Sequence, residues 1–276
     1  MSKQQKKKTQ VSAAAPPRQP LPVNRPKLIP FDNFWMQSAI LIIIGFIFYS
    51  NSFYNQYALD DGIVIAQNEY VQQGFSGIPE ILTHDAYSSF YKQMGSTQQL
   101  SGGRYRPLSI VTFAIEQEVY DSIIVPHSKP DLPAAAEPNT AAVKTGTIND
   151  PSQTIPTPKE APIQLLPFIR HVLNVVLYIL SVIILFHLLR NYFFKQDHDL
   201  AFLASLIFLT HPIHSEVIAN VKSRDEILSF LFIVITFIYS FRYQEEKKIH
   251  LLWIGLISYF LAFLSKEYAI TLLALM

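Results

Sequence analysis

Between two strongly apolar runs, residues 200–209 and 227–241, the stretch THPIHSEVIANVKSRDE (210–226) brings together His211, His214, Glu216, Lys222, Arg224, Asp225 and Glu226. Ionisable side chains beside hydrocarbon cost roughly 2.5–3.5 kcal/mol each at a helix centre, so such a cluster reads as a functional site. The competing reading is a loop outside the membrane, polar because it meets water. Asp60-Asp61, in YALDDG, supplies carboxylates of the kind that take a proton from a hydroxyl nucleophile. Adjacent residues do not face the same way, so two different roles are expected rather than one shared proton. Asp-Asp-Gly also suits an ordinary turn. Arg104-Tyr105-Arg106-Pro107 sets two guanidinium groups just before a predicted helix N-terminus, an arrangement that suits phosphate; snorkelling toward lipid head groups is the alternative. His211, His214 and Glu216 could suggest a metal. They do not form HExxH, and Pro212 breaks the helix that would align two ligands, so no metal is expected. Hydrogen bonds from the histidines to phosphate or a carboxylate fit better. Lys222 and Arg224 suit an anionic donor, although Arg224 could simply balance Asp225 or Glu226. Lys266-Glu267 is either a supporting part of the same site or a charged helix end.

The elements that must carry these groups belong to a membrane chain. Half of the 276 residues are hydrophobic, 13% are aromatic and only 16% are charged, against about 25% charged in average usage. The net charge of +1 carries no signature of a nucleic-acid partner, and none is expected. There is no cysteine, which excludes a disulfide, a thiolate metal site and a cysteine nucleophile. Residues 1–30 are Pro-rich and basic, predicting a disordered tail that holds the N-terminus in the cytoplasm. Residues 34–50 carry no charge and, with 51–54, reach the roughly 20 residues that span a bilayer. Further apolar runs are 172–189, the short 200–209, 227–241, 249–265 and a stub at 268–276. Pro212 loosens the chain after the short run, and Ser215 is placed to cap an interfacial helix, SEVIANVK.

With the N-terminus inside, Arg190/Lys195 and Arg242/Lys247/Lys248 also fall inside, as the positive-inside rule requires. The region 55–164, the 210–226 cluster and 265–267 then share the opposite face. Within that outer loop, Pro107 starts a helix whose Leu108, Val111, Thr112, Ile115 and Val119 form one stripe. Residues 126–162 are Pro/Ala/Thr-rich with few large apolar side chains, predicting a flexible insertion.

HPIHSEVIANVKSRDEILSFLF resembles the signature after the third membrane helix of the transmembrane and tetratricopeptide-repeat O-mannosyltransferases and their bacterial relatives. LDDG, GFSGIPEILTHD, YRPLSIVTFAIE and SKEYAIT agree in order and spacing, and RHVLNVVLYILSVIILFHLL is similar to the family's second helix. The resemblance covers nearly everything from Phe34 onward except the insertion. It implies an all-α integral membrane fold, a multi-helix C-type glycosyltransferase-like bundle with a long, partly helical first outer loop. Residues 31–276 would be the N-terminal part of that domain, and the chain a fragment of a longer protein, since tetratricopeptide repeats and further helices are usual in the family.

The implied activity is transfer of a hexose, mannose favoured, from a polyprenyl-phosphate donor to a hydroxyl, Ser or Thr of a protein, on the periplasmic or lumenal face. No cofactor is implied; the partners are the lipid-linked sugar, the acceptor and the bilayer. By the same resemblance Asp60 matches the catalytic aspartate and Asp61 its acidic neighbour, while Arg224 and Glu226 resemble an Arg-x-acid element. Partial burial is expected to raise the Asp60 pKa toward neutrality. The alternatives are a transporter-like protein, whose charges should sit nearer the midplane, and a non-catalytic membrane scaffold.

Overall fold

A computed structural model describes residues 32–58, 60–95, 104–123 and 165–274. The basic tail 1–30 and the insertion 126–162 lie outside the described residues. Among the described residues ten α-helices follow in order: α1 (Phe34–Tyr49), α2 (Glu69–Gln72), α3 (Ile78–Thr83), α4 (Ser88–Gln93), α5 (Pro107–Ile123), α6 (Leu165–Leu188), α7 (His198–Thr210), α8 (His214–Ala219), α9 (Arg224–Glu246) and α10 (Ile249–Ser265). The described residues contain no strand.

Among the described residues, three segments are long and apolar enough to cross a membrane: Phe34–Tyr54, Leu165–Phe193 and Val221–Glu246. Each begins or continues through a tighter or wider turn that extends its α-helix, a 3-10 turn after α1 and before α9 and a π turn after α6. Large apolar side chains remain on the outside, among them Ile43, Ile47, Trp253, Ile257 and Phe260. Helices apolar outside as well as inside belong in lipid, and the chain is an all-α membrane protein.

α6 is the central helix. Its Val175, Tyr178, Ile179, Val182 and Phe186 recur at helical spacing and meet Leu41 of α1, Phe202 and Leu209 of α7 and Ile227 of α9 in one core. Gly45 permits a close approach of α1 to α6, because a Cβ there would lie 2.7 Å from Ile179 Cγ1. At the far end from the candidate site, Arg190 donates to Gln37 Oε1 at 2.8 Å and to Asp32 Oδ1 at 3.1 Å, tying α6 to the start of α1. α9 ends at Lys247, which adopts a left-handed conformation (φ 54°), and the chain folds directly back as α10.

α7 has 13 residues, so it is only about 20 Å long at 1.5 Å per residue, short of the roughly 30 Å hydrocarbon core. Its last carbonyls are satisfied from neighbouring helices. Tyr49 Oη of α1 donates to the Leu209 carbonyl at 2.8 Å, and Tyr178 Oη of α6 donates to those of Phe208 and Leu209 at 3.1 and 3.3 Å. The interfacial helix expected from Ser215 is shorter and begins one residue earlier, spanning His214–Ala219. Ser215 Oγ does not cap it; it donates to the Pro212 carbonyl at 2.6 Å, which closes the turn forced by the proline. A 3-10 turn, Val221–Ser223, then leads into α9.

The described part of the loop between the first two spans has a core of its own. Val64, Ile65, Val71, Ile81, Ile110 and Phe113 pack together with Val221 from the α8–α9 connection. Gly77 is indispensable to this packing, since a Cβ there would lie 1.9 Å from the Tyr70 carbonyl oxygen. α5 starts at Pro107 as its sequence predicts, with a different face inward. Ile110, Phe113, Ala114 and Gln117 are buried, whereas Ile115 and Val119 of the apolar stripe are exposed. Fold and site meet here, because α5 and the lead-in to α9 frame the same cavity.

Candidate active site

Asp60 and Asp61 open a helical turn a few residues after the first span, and the Asp60 carbonyl accepts from Val64 N at 2.9 Å. Their side chains part, as adjacent residues must. Asp61 is fully buried: its Oδ2 accepts from Ala58 N at 3.1 Å and its Oδ1 from Lys222 N at 2.7 Å. It therefore clamps the α8–α9 connection onto the turn. The catalytic role expected for it does not fit this placement, because both oxygens are committed to backbone amides inside the protein. Asp60 lies on the open side, where one oxygen, Oδ2, accepts from Lys222 Nζ and from Tyr87 Oη, each at 2.7 Å. Lys222 is thus held twice, by its backbone to Asp61 and by its side chain to Asp60.

The hydrogen bond from Lys222, seconded by that from Tyr87, holds the Asp60 carboxyl below the usual carboxylate range. This corrects the expected rise toward neutrality: the Asp60 side chain is 44% exposed, so desolvation is outweighed by its donors. Burial first, and then the bond to Asp60, push the Tyr87 phenol up, which keeps it protonated and donating at neutral pH.

A cavity of ≈ 260 Å³ opens beside this pair, lined by Asp60, Tyr87, Arg104, Arg106, Lys222 and Asp225 together with Val64, Ala86, Ser109 and Ile110. Three cations thus face two carboxylates. Arg104 stacks its guanidinium 4.7 Å from the Tyr87 ring centroid and donates to Tyr91 Oη at 3.0 Å. Arg106 donates to Asp225 Oδ2 at 2.6 Å and reaches both oxygens of Glu267, at 3.0 and 3.3 Å. Lys266 pairs with Glu226. These ion pairs join the starts of α5 and α9 to the segment after α10, so Asp225, Glu226, Lys266 and Glu267 form a charged wall that fixes Arg106.

Arg224 has a different place from the one expected. It is fully buried and donates to Asn174 Oδ1 at 2.7 Å, Thr112 Oγ1 at 3.0 Å and the Arg170 carbonyl at 3.2 Å, and it pairs with Glu116. Its guanidinium lies 4.2 Å from the Phe113 ring centroid. Glu116 also holds buried Arg170 at 3.4 Å. With its donors spent on α5 and α6, Arg224 is a pillar between helices and does not line the cavity. His211 and His214 do not line it either. His214 packs 4.4 Å from Phe208 and 5.6 Å from Tyr178, ring to ring, and His211 Nδ1 accepts from Ile213 N at 3.2 Å. Glu216 is exposed in the first turn of α8, also away from the cavity lining. Among the described residues, no group of three His, Asp or Glu side chains is placed to hold a metal ion.

Tyr87, Glu116 and Arg170 escaped sequence reasoning. Glu116 had a signal, an acid one helical turn after Thr112 and directly after the apolar run Phe113-Ala114-Ile115. Arg170 had a weaker one, a single charge at the head of an apolar run. Tyr87 had none, being one tyrosine among several.

The chain is 33% identical over 72 residues to "Protein O-mannosyl-transferase TMTC1" of Homo sapiens and to the protein of the same name of Mus musculus. The match takes in 26% of this chain and 8% of the length of each relative. No family model matches. No solved structure matches either. The chain is a membrane protein distantly related to the O-mannosyl-transferases.

Proposed function

We propose that this chain carries the donor site of a membrane glycosyltransferase, which moves a hexose, mannose favoured, from a polyprenyl-phosphate to a hydroxyl, Ser or Thr of a protein. The observation that supports this reading is the convergence of Asp60 with Lys222, Arg104 and Arg106 on one cavity next to the end of a membrane span. In the reaction, the acceptor oxygen attacks the anomeric carbon and the bond from that carbon to the phosphate oxygen breaks. The bonding pair leaves with the polyprenyl phosphate, and the acceptor proton passes to Asp60.

Lys222 and Arg104 meet the charge that grows on the leaving phosphate, while Arg106, fixed by Asp225 and Glu267, defines the rim. A phosphate arriving beside Lys222 competes with Asp60 for its ammonium, so donor binding makes Asp60 a better base. The distant kinship with the O-mannosyl-transferases supports the same class of chemistry. The positively charged segments flanking the spans support a periplasmic or lumenal position for this cavity.

The test is transfer of radiolabelled mannose from polyprenyl-phosphate mannose to a Ser/Thr peptide by membranes containing the protein. Asp60→Asn keeps the shape and removes the proton acceptor, and should lower the rate by about 10²–10⁴-fold with the protein still folded. A folded Asp60→Asn variant that transfers sugar at the normal rate rejects Asp60 as the base.

A further inference from the structure

Resting on that glycosyltransferase reading, we infer that Tyr87 is a positioning residue of the site: its hydroxyl orients the Asp60 carboxylate and its ring seats the two cations, Arg104 and Lys222, that meet the donor phosphate. Tyr87 is itself well fixed. Its backbone N–H donates to Asp85 Oδ1 at 2.7 Å, Ser88 N donates to the Asp85 carbonyl at 3.1 Å, and the ring packs against the loop core around Val64 and Ile110. The hydroxyl and Lys222 Nζ both bind Asp60 Oδ2. Asp60 Oδ1 accepts no hydrogen bond from the described residues, which leaves it for an acceptor hydroxyl.

The ring works on its other side. Arg104 lies over it at 4.7 Å, and Lys222 Nζ is 6.0 Å from its centroid, both within the range of cation–π attraction. Tyr91, in the first turn after Tyr87 with its N–H donating to the Tyr87 carbonyl at 3.1 Å, steadies Arg104 by accepting from it at 3.0 Å. The charged groups facing Asp60 and Tyr87 are thus Lys222 from the α8–α9 connection and Arg104 from the start of α5, with Arg106 and Asp225 lining the same cavity. One side chain couples the proton acceptor to the phosphate cations, and two substitutions separate its functions.

Tyr87→Phe keeps the ring and deletes the hydroxyl. Asp60 then loses one donor, so the acid limb of kcat/KM for sugar transfer should move to higher pH, with the affinity for polyprenyl monophosphate in detergent unchanged within about twofold, since the cation–π attraction remains. Tyr87→Leu removes the ring as well and should weaken polyprenyl monophosphate binding by about three- to tenfold. Both are measured on the full chain, with the thermal midpoint as the folding control; if the Leu variant unfolds, the acid limb of the Phe variant decides alone. Folded variants with the wild-type acid limb and wild-type lipid-phosphate affinity overturn the inference while leaving the glycosyltransferase reading intact. A wild-type protein that neither binds polyprenyl monophosphate nor transfers sugar overturns both.

Discussion

Arg224→Ala removes a guanidinium that is fully buried and holds Asn174 of α6, Thr112 and Glu116 of α5 and the Arg170 carbonyl. It strands those acceptors in the interior and opens a hole against the Phe113 ring. Glu116 keeps a single cationic partner, Arg170 at 3.4 Å. Breaking a buried pair from one side costs about 3–5 kcal/mol, because the remaining charge has lost its partner. Against a total of about 5–15 kcal/mol for a folded protein, that is a large share. The variant should therefore show a much lower thermal midpoint and a small folded fraction on size exclusion in detergent. Arg224→Lys keeps the charge, but an ammonium cannot reach acceptors on three sides, so it should restore only part of the midpoint. Per folded molecule, the Lys variant should bind polyprenyl monophosphate as the wild type does. An Arg224→Ala protein with a wild-type midpoint and weakened phosphate-lipid binding would refute the structural role and return Arg224 to the donor site.

Asp61→Asn puts an amide where two backbone N–H groups need acceptors, so one of them loses its bond; a midpoint drop corresponding to about 1–3 kcal/mol is expected, and an unchanged midpoint would show that the clamp on Lys222 N is dispensable. Lys222→Met deletes the strongest partner of Asp60. The Asp60 pKa lies below the ordinary value, so its base form persists through the usual carboxylate range and is lost only as pH falls through the depressed value. Without Lys222 that loss should begin at higher pH, visible as an upward shift in the acid limb of kcat/KM, and an unmoved limb would mean that the ion pair does not set Asp60's basicity.

The membrane frame was legible because hydrocarbon enforces long, charge-free runs: α10 spans the predicted 249–265, and α1 starts at the predicted Phe34. Asp60 and Lys222 were legible as ionisable groups flanking such runs. The partnerships were not. Arg224 has the same chemistry whether it meets phosphate or Glu116, and the choice is made by a carboxylate 108 positions away. The face of α5 was misleading for a related reason. Periodicity finds the stripe Leu108, Val111, Thr112, Ile115 and Val119, but the tertiary core takes Phe113 and Gln117, which also serve Arg170 from α6. Tyr87 acquires meaning only once the loop folds back over Asp60.

The end of α7 carries a genetic consequence. The Leu209 carbonyl receives hydroxyls from two tyrosines on two different helices, Tyr49 and Tyr178. Either substitution to phenylalanine leaves the other donor in place, so each loss is masked by its counterpart and should drift freely in the other's presence. Losing both strands a carbonyl where water is scarce. The pair should therefore show epistasis: either phenylalanine alone costs little and both together cost about 1–3 kcal/mol, a dependence that a survey of single substitutions would miss.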